Sequence, residues 1–405
     1  MKRITKLVLI FIFVLSLSLG ALSGCAITSE AIEEDKIEEK KNIVDEEKNE
    51  SKEEQQLEEN TVTEEKQNST IITYVSTDSK VYSSTAEVVK NVADTVVEIS
   101  TESVTTLWGR QYIASGAGSG VIVGLDNNTY YIITNNHVID GANEITVRTR
   151  AGVSYNGRLI ATDDSADIAI IAIDSNDELS IAIMGNSDDL QIGEDLIAIG
   201  NPLGSLGGTV TKGILSATGR TIQIENYEMT LLQTDTAINP GNSGGGLFNM
   251  RGELIGVVNA KTTDEEIEGI CFAIPINNAL KVYNDLLEYG YILGRATFNI
   301  EVAEGTLSSK TMGQQTTNIV YITAINANSA ANFAQYDMIY KINGEIISSI
   351  LDLNIALSKV SAGDEVEVEV YRGSISQSFW SSGISFANES TTFKTVAKQY
   401  GEVAN

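Results

Sequence analysis

One histidine, two cysteines and three prolines are all that this sequence of 405 residues contains of those types. Each scarcity excludes something. With a single imidazole and so few thiols the ligand sets of zinc sites cannot be assembled, so no metal is expected, and no other cofactor. Cys25 closes an N-terminal apolar run, which leaves Cys271 without a partner and predicts a fold held by its core rather than by disulfides. Basic residues are also short: 27 Lys and Arg stand against 55 Asp and Glu, a formal net charge of −28. That balance argues against nucleic-acid binding and against attachment to anionic surfaces by charge.

What is present divides the chain into four parts. Residues 1–6 are basic, 7–19 are almost wholly apolar, and Leu22-Ser23-Gly24-Cys25 follows. This resembles a bacterial lipoprotein signal, which implies a signal peptide over 1–25 with lipid on Cys25. The alternative is an uncleaved anchor, since 7–24 is barely long enough to span a bilayer. Either places the folded part outside the cytoplasmic membrane. Between 26 and 66, sixteen acidic residues face six basic ones, with no aromatic residue, glycine or proline. Such a stretch cannot bury enough surface to fold, so 26–80 reads as an acidic disordered tether.

From 81 to 290 short β-branched runs recur, at 96–100, 120–124, 130–134, 144–150, 167–174, 196–200, 209–217, 253–260 and 270–274. Glycine, asparagine and aspartate punctuate them, as in an all-β barrel or sandwich. Ser84 and Glu87 suit a capping box opening a short helix. A second helix carries Leu280, Tyr283 and Leu287 on one face and ends at Gly290. A smaller α+β unit over 291–400 offers strands at 319–325, 338–342 and 365–370, a helix through Leu353, Ala356, Leu357 and Val360, and a last strand at 392–397. Residues 374–390 read as polar and irregular.

The lone histidine, His137, lies in Thr134-Asn135-Asn136-His137-Val138, upstream of Gly241-Asn242-Ser243-Gly244-Gly245. A serine hydroxyl is a poor nucleophile until a base takes its proton, and imidazole is the usual base near neutral pH. The order then discriminates between folds. Gly-Asn-Ser-Gly-Gly fits the α/β-hydrolase elbow, but that architecture needs a histidine after the serine, and none follows Ser243. The subtilisin order needs an aspartate before the histidine, where the nearest, Asp126, sits in a polar turn. Histidine, aspartate, serine remains. Asp167, which opens the apolar run 168–173, is the best aspartate between them, with Asp163 and Asp164 as rivals.

Together these segments resemble the HtrA/Deg serine proteases. The likeness runs from about 86 to 373 and rests on Thr134-Asn135-Asn136-His137-Val138, Asp167-Ile168-Ala169, Gly200-Asn201-Pro202-Leu203-Gly204, Thr209-Val210-Thr211-Lys212-Gly213 and the segment from Gln233 to Gly245. It implies a mainly β fold, a chymotrypsin-like double β-barrel followed by a small α+β PDZ-like domain. It also implies catalytic roles for Ser243, His137 and Asp167, and an oxyanion hole from the N–H groups of Gly241 and Ser243. The specificity pocket would be Ala237, Ile238, Val258 and Asn259; with no carboxylate at 237, it suits small aliphatic side chains. Cys271 stands where the family usually has glycine, either narrowing that pocket or packing in the core. Thr297-Phe298-Asn299-Ile300 matches the peptide-binding loop of the PDZ domain, with Phe298, Asn299 and Ile300 in the loop and asparagine where glycine is usual.

The expected function is a membrane-anchored, ATP-independent endoprotease that degrades misfolded secreted proteins. Its partners would be unfolded protein or peptide substrates, the membrane through the lipid anchor, and two further copies in a homotrimer. A latent or chaperone-like client binder of the same fold is the alternative.

Overall fold

The computed structural model describes residues 62–67, 70–75, 81–107, 110–201, 208–239, 241–262, 269–308, 316–378 and 381–399. The expected signal, Cys25 and most of the expected tether lie outside these residues. Part of the tether segment is nevertheless strand: Val62–Gln67 pairs with Thr70–Val75, and the latter runs parallel to Ile183–Met184. The disordered expectation therefore fails near its C-terminal end. Thr-Ile-Ile-Thr-Tyr-Val over 70–75 is β-branched and aromatic, the composition that favours a pleated strand.

Residues 96–174 form the first barrel. Its strands are Val96–Leu107, Arg110–Asp126, Thr129–Thr134, Glu144–Arg148, Ser154–Asp163 and Ile168–Asp174, closed by pairing of Arg110–Asp126 with Thr129–Thr134. The second barrel uses Asp195–Gly200, Thr209–Ile224, Tyr227–Thr234, Gly246–Asn249, Glu253–Asn259 and Cys271–Pro275, closed by Gly246–Asn249 against Glu253–Asn259. Closure leaves neither barrel with a free edge, so their strands offer no template for pairing with another chain.

The strand Ile168–Asp174 shows why apolar runs appear without alternation. Ala169, Ile171 and Ile173 fill the first barrel with Ile99, Ile122 and Ile132. Ile168 and Ile170 face the other way, into a cluster shared by the second barrel and the helix Ile276–Tyr289. Both faces are covered, so both must be apolar. That helix buries Ile276, Ala279, Leu280, Val282, Tyr283 and Leu286, each larger side chain contributing about 1.5–3 kcal/mol of burial. It stops at Gly290, whose φ of 76° is the left-handed cap expected there.

In the C-terminal unit a sheet runs in the order Ile300–Ser308, Thr316–Ile325, Met338–Ile342, Glu365–Ser378, Ser381–Val396. The helix Ile350–Ser358 packs Leu353 and Ala356 into its core, together with Phe298, Ile322, Ile339 and Val368. Ser349 and Asp352 close a capping box at its start. Within 374–390, expected to be irregular, residues 374–378 and 381–390 instead extend two paired strands, Ser374 opposite Ser385 and Ile375 opposite Ile384. Their serine-rich composition hid the strand: of the side chains described there, Ser374, Ile375, Ser385, Ala387, Glu389 and Ser390 are exposed, and Ile384 and Phe386 are half-buried.

Candidate active site

His137 belongs to a single helical turn, Asn136–Ile139, that follows the strand Thr129–Thr134 of the first barrel. Asp167 sits at the end of a four-residue turn joining Asp163 to Ile168, which are paired across the hairpin. Its φ is 50°, a left-handed conformation that aspartate tolerates better than bulkier residues. From there its carboxylate is aimed at the histidine. Oδ2 lies 2.7 Å from His137 Nδ1, and Oδ1 accepts the backbone N–H of His137 at 2.9 Å. Asn259 Nδ2 donates a third bond to Oδ2 at 3.0 Å. The Asp167 side chain is 6% exposed, so these bonds are made with little competition from water.

The rival aspartates go elsewhere. Asp163 is buried and binds its own turn, Oδ1 accepting from Ala166 N at 2.7 Å and Ser165 Oγ at 3.0 Å, while Oδ2 meets the guanidinium of Arg295. Asp164 accepts from Asn136 Nδ2 at 3.2 Å. With Asn135 Nδ2 donating to the Asp167 carbonyl at 3.0 Å, both asparagines before His137 bind the aspartate turn.

Ser243 enters from the second barrel. Its loop crosses to the first, where Ser119 N donates to the Ser243 carbonyl at 2.8 Å and Ser119 Oγ donates to the Gly241 carbonyl at 2.6 Å. The next residue, Gly244, abuts the histidine segment. A Cβ there would stand 2.2 Å from Ser119 O and 3.2 Å from Asn135 N, and φ is 79°, so only glycine lets the two barrels meet this closely. Gly241 also has positive φ, 98°. Among the described residues the N–H groups of Gly241 and Ser243 donate to no protein acceptor, and the Ser243 hydroxyl makes no hydrogen bond, with His137 or otherwise. Such a serine–histidine bond commonly tightens only once substrate is bound.

Of the expected pocket residues, Ala237 is exposed, with its carbonyl accepting from Thr211 Oγ1 at 2.8 Å. Ile238 and Val258 belong to the core of the second barrel, in one cluster with Cys271. Asn259, expected in the pocket, donates its side-chain amide to Asp167. Cys271 packs in that same apolar cluster, 6% exposed, and burial pushes its thiol pKa up. This is the environment of a small buried hydrophobe rather than a reactive thiolate. Sequence reading missed Ser119 and the Asn259 bond to Asp167. The first had a faint signal in Gly118-Ser119-Gly120; the second, across 92 positions, had none.

In the C-terminal unit Phe298 is buried in the core, and Asn299 takes φ 54° with Nδ2 donating to Ala327 O at 2.7 Å. Asparagine stands where glycine was expected because, of the non-glycine residues, it visits this conformation most readily. Ile300 starts the strand Ile300–Ser308, which among the described residues pairs on one side only.

Comparison with known proteins agrees with this architecture. Residues 118–257 match the family model of the trypsin-like peptidase domain and residues 308–379 that of the PDZ domain. The chain is 38% identical over 270 residues to the serine protease Do-like HtrB of Bacillus subtilis (strain 168), covering 63% of this chain and 59% of the relative. It is 37% identical over 270 residues to the periplasmic serine endoprotease DegP of Escherichia coli (strain K12), covering 65% and 56%. The match thus spans under two thirds of these relatives. Among solved structures, the HtrA-type protease AlgW with a decapeptide superposes with TM-score 0.51 at 27% identity, over 79% of this chain and all of that one.

Proposed function

We propose, from a chain that carries a trypsin-like peptidase domain followed by a PDZ domain and is homologous to the HtrA and DegP serine proteases, that this protein is a serine endoprotease acting on unfolded proteins. The observation that carries this reading is the contact of the only histidine with a buried aspartate, beside a serine loop in which the N–H groups of Gly241 and Ser243 meet no acceptor among the described residues.

In the proposed mechanism Ser243 Oγ attacks the peptide carbonyl while His137 Nε2 takes its proton. Asp167, bonded to Nδ1, fixes the tautomer and stabilises the imidazolium that forms. Its bond to the backbone N–H of His137 holds the ring's root as well as its edge. The N–H groups of Gly241 and Ser243 then meet the oxyanion. A donor of that kind lowers the barrier by about 3–4 kcal/mol, because the charge it binds develops only in the transition state. His137 returns the proton to the leaving amine, and water repeats the sequence on the acyl-enzyme.

Ala237, which is exposed, offers no charge to an incoming side chain, which supports cleavage after small aliphatic residues. The N-terminal signal pattern and the periplasmic relatives support an extracytoplasmic, lipid-anchored protein. Nothing in the proposed chemistry consumes ATP. A homotrimer rests on the family likeness. The unbonded Ser243 hydroxyl keeps a second reading in play, a latent protease that binds clients and cleaves little.

Incubation of the purified chain with unfolded casein, with Ser243→Ala alongside, tests the proposal when the cut sites are mapped by mass spectrometry. Cleavage after valine-like residues that disappears in the variant is the expected outcome. Intact casein with suppressed client aggregation in both samples would move the assignment to the client binder.

A further inference from the structure

Asp163 is an unusual carboxylate for a residue that faces no substrate. Its side chain is 1% exposed and yet ionisable, and it sits one hydrogen-bonded hairpin pair from Ile168, directly before the turn that presents Asp167. One oxygen is used within that turn, by Ala166 N and Ser165 Oγ. The other is taken by Arg295 Nη1, 132 positions away.

Arg295 does not belong to either barrel. It follows the helix Ile276–Tyr289, and its backbone is fixed on the side of the C-terminal domain: it bridges to Ser361, and its carbonyl accepts from Gln399 Nε2 at 3.4 Å. The next residues, Ala296–Thr297, pair with Lys398–Gln399. A cation rooted in the PDZ side therefore pairs with Asp163, the buried carboxylate at the base of the catalytic turn. The turn needs such support, since Asp167 is held at φ 50° and, among the described residues, its backbone N–H meets only Asp164 O, at 3.1 Å. A buried carboxylate deprived of its partner either protonates or draws in water, and both loosen the bonds it makes. A cleft of about 490 Å³ borders the pair, lined by Ser165, Lys281, Arg295 and Asn354, so the two domains meet here without being fused into one core.

We infer that Asp163 and Arg295 are positioning residues for the proposed triad: the arginine of the PDZ side completes the turn that aims Asp167 at His137, so the peptidase domain is not competent without it. The inference rests on the serine-protease reading, but its test need not. Because His137 is the only histidine, one selectively labelled imidazole resonance reports on its pairing with Asp167 in the full-length chain, whether or not the protein cleaves anything.

The wild type is compared with Arg295→Ala, Arg295→Lys, Asp163→Asn and the double variant Arg295→Ala/Asp163→Asn. Titration of the imidazole is followed from about pH 5 to about pH 9, and kcat and KM are measured on a short valine p-nitroanilide peptide. Loss of a well-aimed carboxylate weakens the charged imidazole, so the histidine midpoint and the acid limb of kcat/KM should both move to lower pH in Arg295→Ala. kcat should fall roughly ten- to hundredfold with KM little changed, the scale expected for a small misplacement of a catalytic group. Arg295→Lys should recover part of this, and the double variant should be no worse than either single, as for residues acting through one contact. Should Arg295→Ala fail to fold, Arg295→Lys and Asp163→Asn carry the same comparison.

A variant that loses thermal stability while its histidine midpoint and kcat stay at wild-type values would overturn the inference, as would additive losses in the double variant. Failure of the underlying reading looks different. The wild type itself would then be inactive toward peptide and casein, while the histidine titration would still decide whether Arg295 positions Asp167.

Discussion

The two sides of the cleft are built on opposite plans. On the first-barrel side the carboxylates around the histidine are bound: Asp167 accepts three hydrogen bonds, Asp163 and Asp164 are engaged, and the side-chain amides of Asn135 and Asn136 tie the histidine turn to the aspartate turn. On the second-barrel side the loop is fixed through its carbonyls, by Ser119, while the Ser243 hydroxyl and the N–H groups of Gly241 and Ser243 are left open. In the proposed mechanism the carboxylate that orients is fully engaged, and the groups that react are held by their backbone. Preorganisation of that kind spends folding energy on geometry before substrate arrives.

The contrast can be broken most severely at the open side. Ser243→Ala should reduce casein and peptide cleavage by about 10⁴-fold or more with unfolding temperature almost unchanged, and His137→Ala should cost nearly as much because triad members act as a unit. On the saturated side Asp167→Asn keeps the shape but favours the wrong tautomer, so kcat should fall about 10⁴-fold, as read by steady-state peptide hydrolysis. Asn259→Ala sharpens the comparison. It removes one of three donors to a buried carboxylate, a bond worth about 1.5–3 kcal/mol, so kcat should fall by roughly ten- to hundredfold while KM holds.

A control far from the cleft should separate stability from chemistry. Ser349→Ala removes the cap of the helix Ile350–Ser358 and should cost about 1 kcal/mol in denaturant unfolding, with hydrolysis of a short peptide unaffected. Its partner adds a pH signature. Burial raises the pKa of Asp352, but hydrogen bonds from Ser348 and Ser349 more than offset this and hold it below the ordinary aspartate value. A carboxyl with a depressed folded pKa stabilises the fold above its unfolded pKa, and that stability is lost as pH falls through the folded one. Acid unfolding of this domain should therefore begin at higher pH in Ser349→Ala than in the wild type.

The sequence was informative where chemistry is local. His137, Asp167 and Ser243 each sit in a short motif, and the scarcity of histidine left one viable order. The alternating strand 365–370 and the Gly290 cap were equally plain. Contacts between distant segments were not legible. Asn259 reaches Asp167 across 92 positions, Ser119 reaches Gly241 across 122, and Arg295 reaches Asp163 across 132, each from a segment whose own composition suits a strand or a turn. Residues 70–75 and 374–390 were misread for a different reason. The first follows an acidic stretch whose composition dominated the reading, and the second is a serine-rich ribbon in which the half-buried Ile384 and Phe386 give too short an alternation to stand out.

The most direct measurement is covalent. The folded chain is treated with a fluorophosphonate, which reacts only with a serine whose proton has somewhere to go, and the adduct is located by mass spectrometry. One adduct on Ser243, absent from His137→Ala, is the result expected if the histidine and the open serine loop form one active site. A folded protein that takes up no label, or takes it elsewhere, would contradict the account.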